Sequence, residues 1–155
     1  MIGALQHVAV SVRDLAAAVE FYTTVMGLSV IHRARHEGEA PEKISGVPGA
    51  RIEVCVVGGG GLRIELLHYA DRRDEGERYP EQNRVGLSHI CFEVSQIEAE
   101  YGRISAMGFR FYSPPLVGRP GGPKVCYFEG PDNVVIELYE PVPAGAPPAA
   151  GPARG

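Results

Sequence analysis

The two halves of the chain resemble each other, and this repeat limits the possible folds more than any other feature. The first half begins with LQHVAVSVRDLAAAVEFYTTVMGLSV and the second with LSHICFEVSQIEAEYGRISAMGFRF. Each starts with a strand-like run that has a His near its beginning. A helix-like run follows, then Met-Gly and a further strand-like run. A repeat of this length indicates a duplicated supersecondary module rather than a solenoid.

Local patterns predict the elements of each module. The first helix-like run lies between Asp14, a suitable N-cap, and Gly27, a suitable terminator. In the second, Ser95 and Glu98 have the spacing of a capping box, and Gly108 ends the run. Three strand-like segments follow each helix: LSVIHRA, ARIEVCVV and LRIELLHY, then FRFYS, KVCYFE and VVIELYE. Both halves therefore predict a β-α-β-β-β module.

These modules predict one α+β domain over residues 1–141, which is an ordinary length for a single core. We place module one at 1–69, a polar linker at 70–84 and module two at 85–141. Residues 142–155 are almost entirely Pro, Ala and Gly. Such a segment cannot bury enough apolar surface to offset the entropy lost on ordering, so we expect a disordered tail.

Composition excludes several classes of protein. Apolar residues make up 45% and charged residues 22% of the chain, which is typical of a globular domain. No apolar run approaches the ~20 residues of a membrane-spanning helix. A net charge of -4 with interspersed signs argues against a nucleic-acid partner. The three cysteines form no C-x-x-C pair and no secretion signal is evident, so we expect a cytoplasmic protein without disulfides.

Alternation along four of the strands separates an aliphatic face from a polar face. The four strands are LQHVAVS, LRIELLHY, LSHICFEV and VVIELYE. We expect the aliphatic faces to pack on the helices and the polar faces to line a concavity. One His or Glu falls on the polar face of each strand, at matching positions of the repeat: His7, Glu65, His89 and Glu137.

Two imidazoles and two carboxylates are a ligand set that suits a divalent first-row metal. Taken singly, each residue also fits an ordinary rim or solvent-facing position. Their joint occurrence at repeat positions favours the metal, and four protein ligands leave open positions of the kind found in catalytic sites. For His32, His36 and His68 the pattern favours ordinary roles, since the first two have no counterpart in the other half.

The chain resembles the vicinal oxygen chelate superfamily, which includes glyoxalase I, methylmalonyl-CoA epimerase, extradiol dioxygenases, and fosfomycin and bleomycin resistance proteins. The resemblance covers residues 1–141 and is carried by HVAVSVRDLAAAVEFYTTVMGLSV, LRIELLHY, GLSHICFEV, AMGFRFYSPP and YFEGPDNVVIELYEP. It implies an eight-stranded cupped mixed sheet with helices on its outer face, and a homodimer. It also implies that one divalent ion (Zn, Ni, Co, Mn or Fe) is bound by His7, Glu65, His89 and Glu137.

Glu65 distinguishes between the branches that the chain resembles. Extradiol dioxygenases and thiol-transferring fosfomycin resistance proteins use the two His and the last Glu, but not the position that matches Glu65. A ligand there favours a glyoxalase-like or epimerase-like isomerase or lyase. Glyoxalase I has Glu at this position and the epimerase usually has Gln, yet IELLHY, LSHICFEV and GGPKVCYF are more similar to the epimerase. The substrate therefore stays open.

We expect an enzyme that abstracts a proton next to a carbonyl of a small-molecule substrate, with metal stabilisation of the enolate. Glu137 or Glu65 would be the catalytic base. The alternatives are an Fe(II)-dependent dioxygenase of the extradiol type, in which Glu65 is not a ligand, and an antibiotic-binding resistance protein without turnover. Candidates for the pocket wall, with ordinary packing as the other interpretation, are Tyr69, Cys91, Glu93, Tyr127 and Tyr139.

Overall fold

The computed structural model describes residues 5–70, 86–119 and 121–143. Contacts divide the chain into two compact units, Met1–Glu77 and Arg78–Gly155. The predicted linker and the predicted disordered tail lie outside the described residues, except for one residue and two residues respectively. None of the helices in the described ranges is long and apolar enough to cross a membrane.

The first unit has the predicted β-α-β-β-β order with one additional short helix, which lies between its second and third strands. Asp14 caps its first helix, since a carboxylate oxygen accepts a hydrogen bond from the Ala17 amide at 3.0 Å. The helix continues as a π-helical stretch over Phe21–Val25, and Gly27 follows with a φ of 69°. In chain order the elements are β1 (Val8–Ser11), α1 (Leu15–Glu20), β2 (Ser29–His36), a short α2 (Glu39–Ser45), β3 (Ile52–Gly59) and β4 (Leu62–Tyr69).

The second unit has the β-α-β-β-β order without the additional helix, and its last three strands are shorter than those of the first unit. A 3-10 turn over Pro131–Asn133 precedes its last strand, and Asp132 and Asn133 there have positive φ. In chain order the elements are β5 (Ile90–Glu93), α3 (Ile97–Ala106), β6 (Leu116–Val117), β7 (Lys124–Glu129) and β8 (Val135–Glu140).

Each unit contains one four-stranded mixed sheet, so the predicted α+β class is confirmed. The strand orders are β1-β4-β3-β2 and β5-β8-β7-β6. In both sheets the first and last strands of the module pair in parallel, and the other pairs are antiparallel. The parallel register is also the same, because Ala9 lies opposite Glu65 and Cys91 lies opposite Glu137.

The aliphatic faces form the cores of the units, as the alternation predicts. Ile64 and Leu66 of β4 are fully buried, and α1 packs on β3 and β4. In the second unit Ile136 and Leu138 of β8 are buried, and α3 packs on β7 and β8. Each such side chain contributes about 1.5–3 kcal/mol by leaving water. Burial of these residues fixes the register and places Glu65 and Glu137 on the opposite face of their strands.

The predicted strand FRFYS is wrong. Residues 109–113 contain only an isolated bridge between Phe111 and Phe128, and β6 lies further along the chain. The Tyr112 amide donates to the Tyr127 carbonyl at 2.9 Å, so this segment does run beside β7. Pro114 and Pro115 follow, and neither has an amide hydrogen to continue the ladder.

The capping box predicted from Ser95 and Glu98 is also wrong. The helix α3 begins after Gln96, whose side chain makes no capping hydrogen bond. The Ile97 amide instead donates to Oε1 of Glu140, on β8, at 3.2 Å. Glu98 pairs with Lys124 at 2.5 Å. A carboxylate distant in sequence therefore caps this helix, which no local pattern indicates.

Candidate metal centre

The structure brings one His and one Glu together within each unit. In the first unit Nε2 of His7 lies 3.3 Å from Oε2 of Glu65. In the second unit Nε2 of His89 lies 2.9 Å from Oε2 of Glu137. All four predicted ligands therefore occur as two His–Glu pairs, one on each sheet.

The parallel strand pairs position these side chains. Each His directly precedes the first strand of its module, and each Glu lies on the last strand, which is the parallel neighbour. In both units the Glu is opposite the residue two places after the His. Residues two apart on a strand point to the same face, so the imidazole and the carboxylate share one face of the sheet.

The second nitrogen of each imidazole contacts the residue that precedes it. Nδ1 of His7 hydrogen bonds to Oε1 of Gln6, and Nδ1 of His89 lies 2.9 Å from Oγ of Ser88. Because an amide oxygen only accepts, the contact with Gln6 favours the His7 tautomer that has its proton on Nδ1. Nε2 then faces Glu65 either as the second N–H of an imidazolium or as a lone pair that can bind a cation.

Sequence reasoning missed these two orienting residues. A signal was present, since a polar residue directly precedes the His at both repeat positions, in Gln6-His7 and Ser88-His89. Metal-binding His residues usually donate their other N–H to such a partner, which fixes the tautomer and the ring orientation.

The distances within each pair fit a divalent first-row ion. Zinc-type ions bind imidazole nitrogen and carboxylate oxygen at about 2.0–2.2 Å, so two donors at right angles lie about 3.0 Å apart. The observed separations of 3.3 and 2.9 Å lie on either side of this value. Each pair thus fits two adjacent coordination positions. Within the described ranges, no three His, Cys, Asp or Glu side chains form one metal-binding group.

Polar neighbours surround the carboxylate of the second unit. Glu137 is 8% exposed and is the one buried charged residue among those described. Its partners on the adjacent strands are Cys91 and Tyr127. Burial and a hydrogen bond to Glu137 raise the pKa of Tyr127, and burial and the Glu137 charge raise the pKa of Cys91 to about 11. Both groups are protonated at neutral pH and can donate to the carboxylate. The Tyr127 ring also meets the His89 ring edge-on, with centroids 5.3 Å apart.

Apolar neighbours surround the carboxylate of the first unit. The partners of Glu65 on the adjacent strands are Ala9 and Val56, which have no side-chain donor. The Glu65 side chain is 27% exposed, against 11% for Glu137. Glu65 is therefore oriented mainly by His7, while Glu137 has additional hydrogen-bonding neighbours.

The other singled-out residues lie in different surroundings. Tyr69 packs against the buried cluster of Ala50, Ile52 and Val54. Glu93 lines a cleft of about 680 Å³ near the start of α3, which contains neither His89 nor Glu137. Tyr139 is the half-buried register partner of Glu93.

The three His residues expected to have ordinary roles are not part of either pair. Nδ1 of His68 lies 3.3 Å from the carbonyl of Val12, within donating distance. His32 and His36 lie on the exposed strand β2, at one edge of the first sheet.

Comparisons with known proteins identify the family of the chain. The chain belongs to the Glyoxalase/Bleomycin resistance protein/Dioxygenase superfamily, whose family model matches residues 4–138. The ethylmalonyl-CoA/methylmalonyl-CoA epimerase of Cereibacter sphaeroides is 32% identical over 126 residues, which cover 79% of this chain and 86% of the epimerase.

Solved structures confirm the fold. A glyoxalase family protein from Bacillus cereus has a TM-score of 0.82 at 23% identity and covers 92% of this chain and 96% of its own. The fosfomycin resistance protein FosX from Listeria monocytogenes, solved with Mn(II) and a sulfate ion, has a TM-score of 0.57 at 20% identity. That match covers 90% of this chain and 93% of FosX. At these identities the two structures support the fold, and the Mn(II) shows that a member of this fold binds a divalent ion.

Proposed function

We propose that the chain is a divalent-metal-dependent isomerase of the epimerase or glyoxalase type, which moves a proton at a carbon next to a carbonyl. The observation that carries this proposal is the repetition of one imidazole–carboxylate pair at equivalent register positions of both sheets. The 32% identity to an epimerase supports the same reaction class.

The proposed metal ligands are the Nε2 atoms of the two His and the carboxylates of the two Glu: His7, Glu65, His89 and Glu137. Gln6 and Ser88 would hold the two imidazoles in the tautomer that leaves Nε2 free for a cation. We infer that all four bind a single ion from the ligand positions of the family that the chain resembles. When bound, the ion supplies positive charge that stabilises an oxyanion next to the reacting carbon.

The proton would be taken by Glu65 or Glu137. A base must reach the substrate C–H bond, and its pKa must be close enough to the working pH for it to accept the proton. Glu65 is the more exposed of the two and has apolar neighbours, so its carboxylate is freer to change position. Glu137 is held by more neighbours and is better suited to a fixed ligand.

Metal content and proton exchange test the proposal together. The purified full chain should bind one divalent ion per chain and should exchange deuterium from D₂O into methylmalonyl-CoA, or convert the glyoxalase substrate. Glu65→Ala and Glu137→Gln should each lower activity at least a hundredfold, since each change removes a metal ligand or the carboxylate that accepts the proton. Glu53→Gln, which changes a half-buried carboxylate paired with Arg35, is the matched control.

Two results would overturn this proposal. One is full metal content and full activity in both the Glu65 and the Glu137 variants. The other is substrate-dependent oxygen uptake by the Fe(II)-loaded chain, which would indicate the dioxygenase reaction instead. Two ions per chain would show that each His–Glu pair binds metal separately. We also propose that the chain forms a homodimer and acts in the cytoplasm. Analytical sedimentation of the purified chain measures its oligomeric state.

A further inference from the structure

A groove of about 660 Å³ lies beside the first His–Glu pair. It extends to Gln6, which contacts His7, and to Arg63, which is two residues from Glu65 on β4. Alternation along β4 puts Arg63 on the same face as Glu65, about 7 Å away along the strand. The remaining wall of the groove includes Ser29, Ile31, Gly58 and Leu62.

Arg63 is exposed, and within the part of the chain that the structure describes it has no ion pair or hydrogen bond. Its register partner on β3 is Gly58, and the partner of Gly58 on β2 is Ser29. Neither neighbour carries a charge. The guanidinium therefore keeps its five donors available to a ligand.

Gly58 lines the groove at a position where there is no room for a side chain. A Cβ atom at this position would lie 2.3 Å from the Leu62 carbonyl oxygen and 2.7 Å from Cδ1 of Ile31. Ile31 is the extra residue of a β-bulge, since the β2–β3 register shifts between Val30 and His32. Bulges often redirect side chains near active sites. Here the bulge brings the apolar side chain of Ile31 close to Gly58, which is the register partner of Arg63.

The second unit shows that packing does not require an Arg at this position. The residue equivalent to Arg63, two places before the Glu of the pair, is Val135, which is buried. Its register partner is Glu129, which pairs with Arg110. In the first unit the same two positions are an unpaired Arg and a Gly. The two modules thus diverge where the groove forms.

We propose that Arg63 binds an anionic group of the substrate, a carboxylate or a phosphate, with Gln6 and Ser29 as polar neighbours and Ile31 as an apolar wall. A guanidinium donates two parallel hydrogen bonds to either group. The Cα atoms of Arg63 and Glu65 are about 7 Å apart along β4, so one small molecule can contact both side chains. That the anion belongs to a substrate rests on the proposed function, whereas the anion site itself does not.

Calorimetric titration of the full chain with malonate and with inorganic phosphate, each with and without Mn(II), tests this proposal. We expect Arg63→Gln to weaken anion binding about tenfold in both conditions, and Arg63→Lys to retain part of it. The matched control is Arg33→Gln. Arg33 is an exposed residue of the same sheet, and its register partner is Cys55 on the core-facing side. The anion that binds more tightly shows whether the site prefers a carboxylate or a phosphate.

The outcomes separate this inference from the proposed function. Absence of binding, equal binding by the Arg63→Gln and parent chains, or binding that needs Mn(II) but not Arg63 would overturn the anion site and leave the isomerase proposal standing. Loss of binding in Arg63→Gln, in a chain without proton exchange, would support the anion site and contradict the isomerase.

Discussion

The two modules share one frame but differ around their Glu residues. Both place a His–Glu pair on a parallel strand pair in the same register. In the second module Tyr127 and Cys91 flank Glu137, while in the first Val56 and Ala9 flank Glu65. A duplicated backbone therefore fixes where the four candidate ligands lie, while the neighbouring side chains are free to give each carboxylate a different environment.

The largest expected effect concerns the shared frame. Leu66→Ala and Leu138→Ala each remove a fully buried side chain from the strand that carries the Glu. Each should lower the free energy of unfolding by about 2–5 kcal/mol, through lost burial and the cavity left behind. Urea denaturation monitored by circular dichroism measures the free energy of unfolding. Tolerance of one change but not the other would contradict the equivalence of the two cores.

The next effect concerns the difference between the carboxylates. Tyr127→Phe removes a hydroxyl on the register partner of Glu137 that can donate to its carboxylate, so the affinity for Mn(II) should fall about tenfold to a hundredfold. Val56→Ala, at the equivalent position beside Glu65, removes no hydrogen bond and should change that affinity little. Calorimetric titration with Mn(II) compares the affinities of the two variants, and Tyr139→Phe is the control. Equal losses would mean that the two environments do not differ in function.

A smaller effect on the free energy of unfolding is expected from loss of the helix caps. Asp14 caps α1 locally, while Glu140 caps α3 from β8. Asp14→Ala and Glu140→Ala should each lower the free energy of unfolding by about 1 kcal/mol, as is usual for a lost cap. Thermal unfolding of the two variants measures this. Ser95→Ala should leave the free energy of unfolding nearly unchanged. A decrease as large as that of Glu140→Ala would indicate that Ser95 caps the helix after all.

The smallest effect is a pH dependence in the second module. A hydrogen bond from Lys124 lowers the pKa of Glu98. A carboxyl whose pKa is lower in the folded state stabilises the protein above its unfolded pKa, and this contribution disappears as the pH falls through the folded pKa. Lys124→Gln should therefore lower the melting temperature slightly near neutral pH and have no effect in strong acid. An equal difference at both pH values would contradict the ion pair as its source.

Much of the fold was predictable because the evidence for it is local. Alternation along β4 and β8 separates Ile and Leu from Glu within each tripeptide Ile-Glu-Leu, and the structure buries those Ile and Leu side chains. The Asp14 cap and the terminating Gly27 were also readable, since both act within one turn of the helix. The alternation also placed each His and each Glu on the polar face of its strand, and the structure brings them together as two pairs.

Other features depend on contacts between distant residues, and these were missed or wrong. Glu140 replaces the predicted Ser95–Glu98 box because β8 ends beside the start of α3. FRFYS lies against β7 but cannot complete a ladder before two prolines. The bulge at Ile31 was not predicted either, because a register shift depends on the partner strand.

The sequence alone determined the duplicated frame and the residue types of the candidate metal ligands, because strand periodicity and repetition are properties of neighbouring residues. Tertiary structure decided which side chains surround each ligand. It buried Glu137 among hydrogen-bonding groups, left Glu65 among apolar ones, and placed Arg63 beside a groove without a partner. Strand pairing joins residues that are far apart along the chain, so these surroundings have no signature in any short stretch of sequence.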